Sequence, residues 1–143
     1  MGSELVTPGH LSRRAVIYIR QSTPNQVLTN QESLRLQYAL RQRARELGWH
    51  EADVEVIDRD LGESGATAAN RTGFKDLVAR VSLGEVGIVL SYEVTRLTRN
   101  CSDWYPLLDL CGYRQCLIGD RDGVYDPGSA DGRLMLLIRP SLS

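Results

Sequence analysis

Ala15-Val16-Ile17-Tyr18-Ile19-Arg20-Gln21-Ser22 is the stretch on which the reading of this chain turns. The run predicts a β-strand over Ala15–Arg20, with a serine two residues past its closing arginine. Residues i and i+2 of a strand share a face, so Tyr18, Arg20 and Ser22 are expected to point the same way. Strand carboxyl ends in a parallel α/β sheet are where ligands bind. A guanidinium beside a hydroxyl at such an edge points to attack on a phosphate.

Working outward, a polar loop over Gln21–Asn30 contains Pro24, which cannot donate to a sheet ladder. Thr29 and Glu32 have the spacing of a capping box. Leu34, Leu36, Leu40, Ala44 and Leu47 then form a helical apolar stripe that Gly48 ends. A second strand is expected at Val54–Asp58, followed by a loop from Arg59 to Thr72. A helix over Gly73–Val81 carries Phe74, Leu77, Val78 and Val81 on one face. Gly84 turns the chain into a third strand, Val86–Tyr92, apolar enough to be central in a sheet. A helix over Ser102–Cys111, with Pro106 in or near its first turn, leads to a fourth strand at Gln115–Gly119. Asp120–Gly132 reads as a loop, and Arg133–Ile138 as a helical or extended apolar run. This alternation predicts an α/β fold, a mostly parallel sheet of four to five strands with helices on both faces.

The 143 residues suit one domain, and 42% hydrophobic with 24% charged residues is ordinary for a globular chain. Net charge is −1, yet of 17 basic residues only Lys75 is a lysine. Arginine's rigid fork of donors pairs bidentately with phosphate, although composition bias also produces such an excess. Cys101, Cys111 and Cys116 have neither CxxC spacing nor a neighbouring histidine, which argues against zinc and against a disulfide framework. A reducing cytoplasm is the natural compartment. No apolar run approaches the roughly 20 residues of a membrane helix, so no membrane partner is expected. Met1–Arg14 lacks a signal core and reads as a flexible leader.

Three groupings carry chemistry. With no histidine near Ser22, a Ser-His-Asp triad is improbable, and Arg20, Arg96 and Arg99 are the groups available to stabilise a phosphoryl transition state without metal. The structural alternative is that Ser22 caps a turn and Arg20 pairs with a surface carboxylate. In Glu93-Val-Thr-Arg96-Leu-Thr-Arg99, the i, i+3 arginines share a helical face and follow the third strand; a solvated helix start reads equally well. Asp58, Asp60 and Glu63 follow the second strand, and could bind Mg²⁺ or belong to a substrate flap hinged at Gly62 and Gly65. Asp120-Arg-Asp-Gly123 reads as a turn.

Together, Tyr18–Ser22, Ser33–Gln37, Asp60–Gly65, Arg71–Phe74 and Thr95–Arg99 resemble the catalytic domain of the serine recombinase (resolvase/invertase) family. Among its members, the pattern is most similar to the larger or mobile-element-associated ones. The resemblance spans about Arg14 to Leu137. It implies that Ser22 attacks a DNA phosphodiester, forming a 5′-phosphoserine link and releasing a 3′-hydroxyl, with no cofactor. It also implies catalytic roles for Arg20, Arg71, Arg96, Arg99 and Gln37, and substrate-binding places for Tyr18, Asp60 and Thr95. The partners implied are double-stranded DNA and further copies of the chain, as dimer and tetramer. Small resolvases carry an aspartate where this chain has Thr95, so any role of that carboxylate is absent from the position. The expected organisation is a leader over 1–13, a catalytic domain over 14–138, and at 139–143 the start of a longer helix and DNA-binding region. A non-catalytic assembly module and a Mg²⁺-dependent nuclease using Asp58, Asp60 and Glu63 are the alternative functions.

Overall fold

The computed structural model describes residues 4–20, 30–60, 72–92, 94, 104–121 and 123–137. Helix α1 (Pro8–Leu11) precedes β1 (Arg14–Arg20); α2 (Asn30–Leu47) and a 3-10 turn (Glu51–Asp53) lead to β2 (Val54–Asp60). Then come α3 (Thr72–Ser82), β3 (Val86–Leu90), α4 (Trp104–Arg114), β4 (Leu117–Gly119), β5 (Val124–Tyr125) and α5 (Ala130–Leu137). The strands form one sheet in the order β2-β1-β3-β4-β5. All neighbours pair parallel except β4 and β5. This is the expected mostly parallel α/β sheet.

Both faces of the sheet are covered. On one, Val16 and Tyr18 of β1 join Ile57, Val89 and Ile118 beneath α3 and α4, through Phe74, Leu77, Leu107 and Leu108. On the other, Ala15, Ile17 and Ile19 join Ile88, Leu90 and Leu117 beneath α2, through Leu40, Ala44 and Leu47. The strict alternation of β1 between two cores is the period-two pleat expressed as burial. Gly48, with φ of 118°, ends α2 as expected. Its neighbour Trp49 donates its N–H to the Ala44 carbonyl (3.0 Å), the six-to-one closure of a Schellman end.

Four expectations need correction. Residues 1–13 are not a loose leader throughout: α1 packs on β3, and His10 is buried. Its Nδ1 accepts from the Thr7 N–H (3.0 Å), and burial, with the Arg13 guanidinium, holds the imidazole below its usual pKa. The strand expected from Gln115 starts at Leu117, because Gln115 has φ of 56° and closes α4. Arg13 secures that end by donating to the carbonyls of Arg114 (3.0 Å) and Gln115 (2.9 Å), a cation on a helix carboxyl terminus. Within the expected loop 120–132 lie β5 and the first turn of α5; two residues of strand are too short a run to show alternation. Finally, the apolar run Leu134–Ile138, which by sequence alone is expected to need cover from a partner chain or further sequence, is partly covered by its own domain, since Leu136 is fully buried while Leu134 is half-exposed. Residues 139–143 lie outside the described residues.

No helix among the described residues is long and apolar enough to cross a membrane. The seating of α1 is tested at Gly87, where an added Cβ would stand 2.1 Å from the His10 carbonyl oxygen. Gly87→Ala is expected to lower stability by about 1–3 kcal/mol through overpacking, read as a lower urea midpoint. An unchanged midpoint would show that α1 does not rest on β3.

Candidate active site at the carboxyl edge of the sheet

In an open α/β sheet a ligand crevice forms outside the strand carboxyl ends where the strand order reverses. The order β2-β1-β3 puts that point between β1 and β3. The chain leaves β1 directly into Gln21 and Ser22, and leaves β3 toward Thr95, Arg96 and Arg99. Those five residues, with Arg71, Glu63 and Glu93, lie outside the described residues.

Ser91, the first residue after β3, is 1% exposed. Its hydroxyl donates to the Tyr18 carbonyl of β1 (2.7 Å), and its N–H to the Gly119 carbonyl of β4 (3.0 Å). One residue therefore clamps three strand ends. Asp120, just past β4, is 4% exposed. Its Oδ2 accepts from the Val94 N–H (3.2 Å) and its Oδ1 from the Gly123 N–H (3.0 Å). The expected turn is present, since the Asp120 N–H donates to the Gly123 carbonyl (3.0 Å). The bond to Val94 goes beyond it. Beside this edge the Arg121 guanidinium lies over the Tyr92 ring, 5.1 Å from its centre.

Arg20 and Asp60 are brought together at the backbone level as Cα partners on β1 and β2. The register shifts between Tyr18 and Arg20, so that Arg20 faces Asp60 rather than Arg59. Ile57 to Asp60 spans three steps on β2 against two on β1, so the extra residue, and the local bend that goes with it, belong to β2. Tyr18 itself, expected to bind substrate, is fully buried. Its ring packs against Phe74 (5.9 Å between centres) and Trp104 (6.1 Å), so it supports the site from below instead of lining its surface. β2 runs two residues further than expected and includes Asp58 and Asp60. Their grouping with Glu63 around a metal falls outside the described residues.

Gln37 is half-buried on α2, three residues before buried Leu40 and seven before buried Ala44. It therefore prolongs the sheet-facing stripe. The Trp49 indole N–H donates to the Arg13 carbonyl (2.9 Å) at the amino edge of the sheet. Arg43 Nε–H donates to the Asp120 carbonyl (3.3 Å) at the carboxyl edge. Gln37 lies six residues nearer the helix start than Arg43, about 9 Å along the axis toward the carboxyl side of the sheet, next to Leu36, which packs on the core cluster. Sequence reasoning missed Ser91 and the reach of Asp120. The available signal was that each is the first polar residue after an apolar strand.

A mostly parallel sheet ordered 2-1-3-4-5 with helices on both faces is the architecture of a resolvase-like catalytic domain. Residues 15–143 match the family described as Resolvase, N terminal domain, and the chain belongs to that family, that of the serine recombinases. Its fold matches the crystal structure of the N-terminal catalytic domain of TP901-1 integrase with a TM-score of 0.64. The two are 26% identical, over 87% of this chain and 89% of that one. It is also 49% identical over 138 residues to the uncharacterized protein y4bA/y4pH of Sinorhizobium fredii (strain NBRC 101917 / NGR234). That match takes in 96% of this chain but only 20% of the relative, so the chain spans about one-fifth of that protein's length.

The clamp at the edge is testable without any substrate. Ser91→Ala removes the hydroxyl that donates to the buried Tyr18 carbonyl, and is expected to cost about 1–3 kcal/mol, seen as a lower denaturant midpoint. Wild-type stability in that variant would show that the β1–β3 junction is held by other contacts.

Proposed function

We propose that this chain is the catalytic domain of a site-specific recombinase that cuts and rejoins double-stranded DNA through a phosphoserine link on Ser22. The observation that carries the reading is the adjacency of β1 and β3 at the switch point. The sequences running from these two strand ends are the ones that hold Ser22 and the Arg96–Arg99 pair. Family membership and the likeness to an integrase catalytic domain support it.

In the proposed reaction Ser22 Oγ loses its proton and attacks a backbone phosphorus, and the bond from phosphorus to the 3′-oxygen breaks. The 5′-phosphate stays on serine, and the 3′-oxygen takes up a proton. Rejoining is the reverse: a 3′-hydroxyl attacks the phosphoserine and serine leaves, so the energy of the phosphodiester is kept and no nucleotide cofactor is needed. Arg20, Arg71, Arg96 and Arg99 supply positive charge to the phosphoryl oxygens as negative charge builds in the transition state. Gln37 and Asp60 are assigned to hold the scissile strand, and Tyr18 to support the floor beneath them. Thr95 has no carboxyl proton to give, so the 3′-oxygen is protonated by another group. Assembly into dimers and tetramers on DNA would bring strand ends together for exchange.

The test is adduct formation on end-labelled DNA spanning the flanks of the protein's own gene, using the intact protein that carries this chain. Wild type is expected to yield a protease-sensitive, detergent-stable protein–DNA adduct that persists in EDTA. Ser22→Ala is expected to yield none, and Arg96→Ala to slow its formation by about 100- to 1000-fold. An adduct from Ser22→Ala would displace Ser22 as nucleophile. Cleavage abolished by EDTA would favour the Asp58, Asp60 and Glu63 metal chemistry, and DNA binding without any adduct would favour a non-catalytic assembly module.

A further inference from the structure

The Asp120 carboxylate is buried at the carboxyl edge, and its two oxygens do different things. Oδ1 closes a local turn on the Gly123 N–H, which any Asp-x-x-Gly turn offers. Oδ2 reaches the Val94 N–H, 26 residues away in sequence, at 3.2 Å. Val94 is itself fully buried in the cluster that contains Tyr18, Phe74 and Trp104. Its side chain is held from below and its amide from the side. Val94 immediately precedes Thr95 and Arg96. The carbonyl of the same aspartate accepts from Arg43 on α2, the helix that carries Gln37. A charged acceptor makes a stronger bond to an amide than a neutral one, and a buried site strengthens it further.

We propose that Asp120 is a positioning residue for the recombination chemistry. Its carboxylate fixes the backbone at Val94, and with it the point from which the chain enters the Arg96–Arg99 run, while its carbonyl ties α2 to the same point. The inference rests on the proposed role of those arginines. It explains why a carboxylate is buried here with both oxygens occupied by backbone amides, which a surface turn does not require.

The experiment uses Asp120→Asn and Asp120→Ala in the intact protein, with wild type and Ser22→Ala as controls. Both substitutions are expected to speed hydrogen exchange at the Val94 amide. They are also expected to slow single-turnover adduct formation at saturating DNA by about 10- to 100-fold, the scale of an ångström-sized misplacement. DNA affinity should stay within about two-fold of wild type, because a positioning defect shows in the rate and not in binding. In an Arg96→Ala background, Asp120→Asn should cost less than it does in wild type, because a residue that acts through Arg96 and Arg99 is not fully additive with the loss of one of them. A wild-type rate, unaltered Val94 exchange, or full additivity with Arg96→Ala would overturn the proposal. Should Asp120→Ala fail to fold, Asp120→Asn, of the same shape, decides the matter alone. Absence of an adduct from wild type, or its persistence in Ser22→Ala, would instead overturn the reading on which this inference rests.

Discussion

β1 is buried on both faces, and each later element packs against it or against a strand aligned by it. Val16 and Tyr18 are fully enclosed on one side, and Ala15 and Ile17 on the other. A strand in that position can only be central, and it is paired parallel with β2 on one edge and β3 on the other. Parallel neighbours need crossover connections, so helices have to cover both faces. The order of strands follows from that, and with it the switch point at the carboxyl ends of β1 and β3.

The same burial makes the edge expensive to leave unpaired. Backbone carbonyls and amides that run past the last ladder bond in a dry region need partners. Ser91 and Asp120 supply them, one by holding the Tyr18 carbonyl and the other by holding the Val94 and Gly123 amides. A rigid floor of Tyr18, Phe74 and Trp104 lies under these ties. The proposed phosphoryl transfer would leave little covalent work to the protein and depend on placing charge correctly, a demand that an edge tied in this way suits.

The family relationship gives this edge its meaning, and the chain's own residues qualify it. Threonine at 95 separates the chain from small resolvases, which have an aspartate there. Asp120 lies close to the neighbouring residue, Val94, but both of its oxygens accept backbone amides. In the role proposed for it, its carboxylate organises the backbone just before position 95. Asp60 enters by a comparable route: an extra residue on β2 after Ile57 makes it the backbone partner of Arg20.

Much of this was legible in the sequence because it depends on short-range pattern. The apolar runs of β1 and β3, the stripe from Leu40 to Leu47 with its glycine stop, and the repeated strand–helix alternation all follow from periodicity and from residues that break it. Arg20 could be placed at the carboxyl end of β1 for the same reason, whereas Ser22, Arg96 and Arg99 lie outside the described residues. Tertiary structure alone decided the rest. The order of strands, the register slip that sets Arg20 against Asp60, the burial of Tyr18, the docking of α1 on β3 and the reach from Asp120 to Val94 join residues distant in the chain. Such contacts leave no local period. They are selected by which groups must be paired or enclosed once the sheet has closed over its two cores.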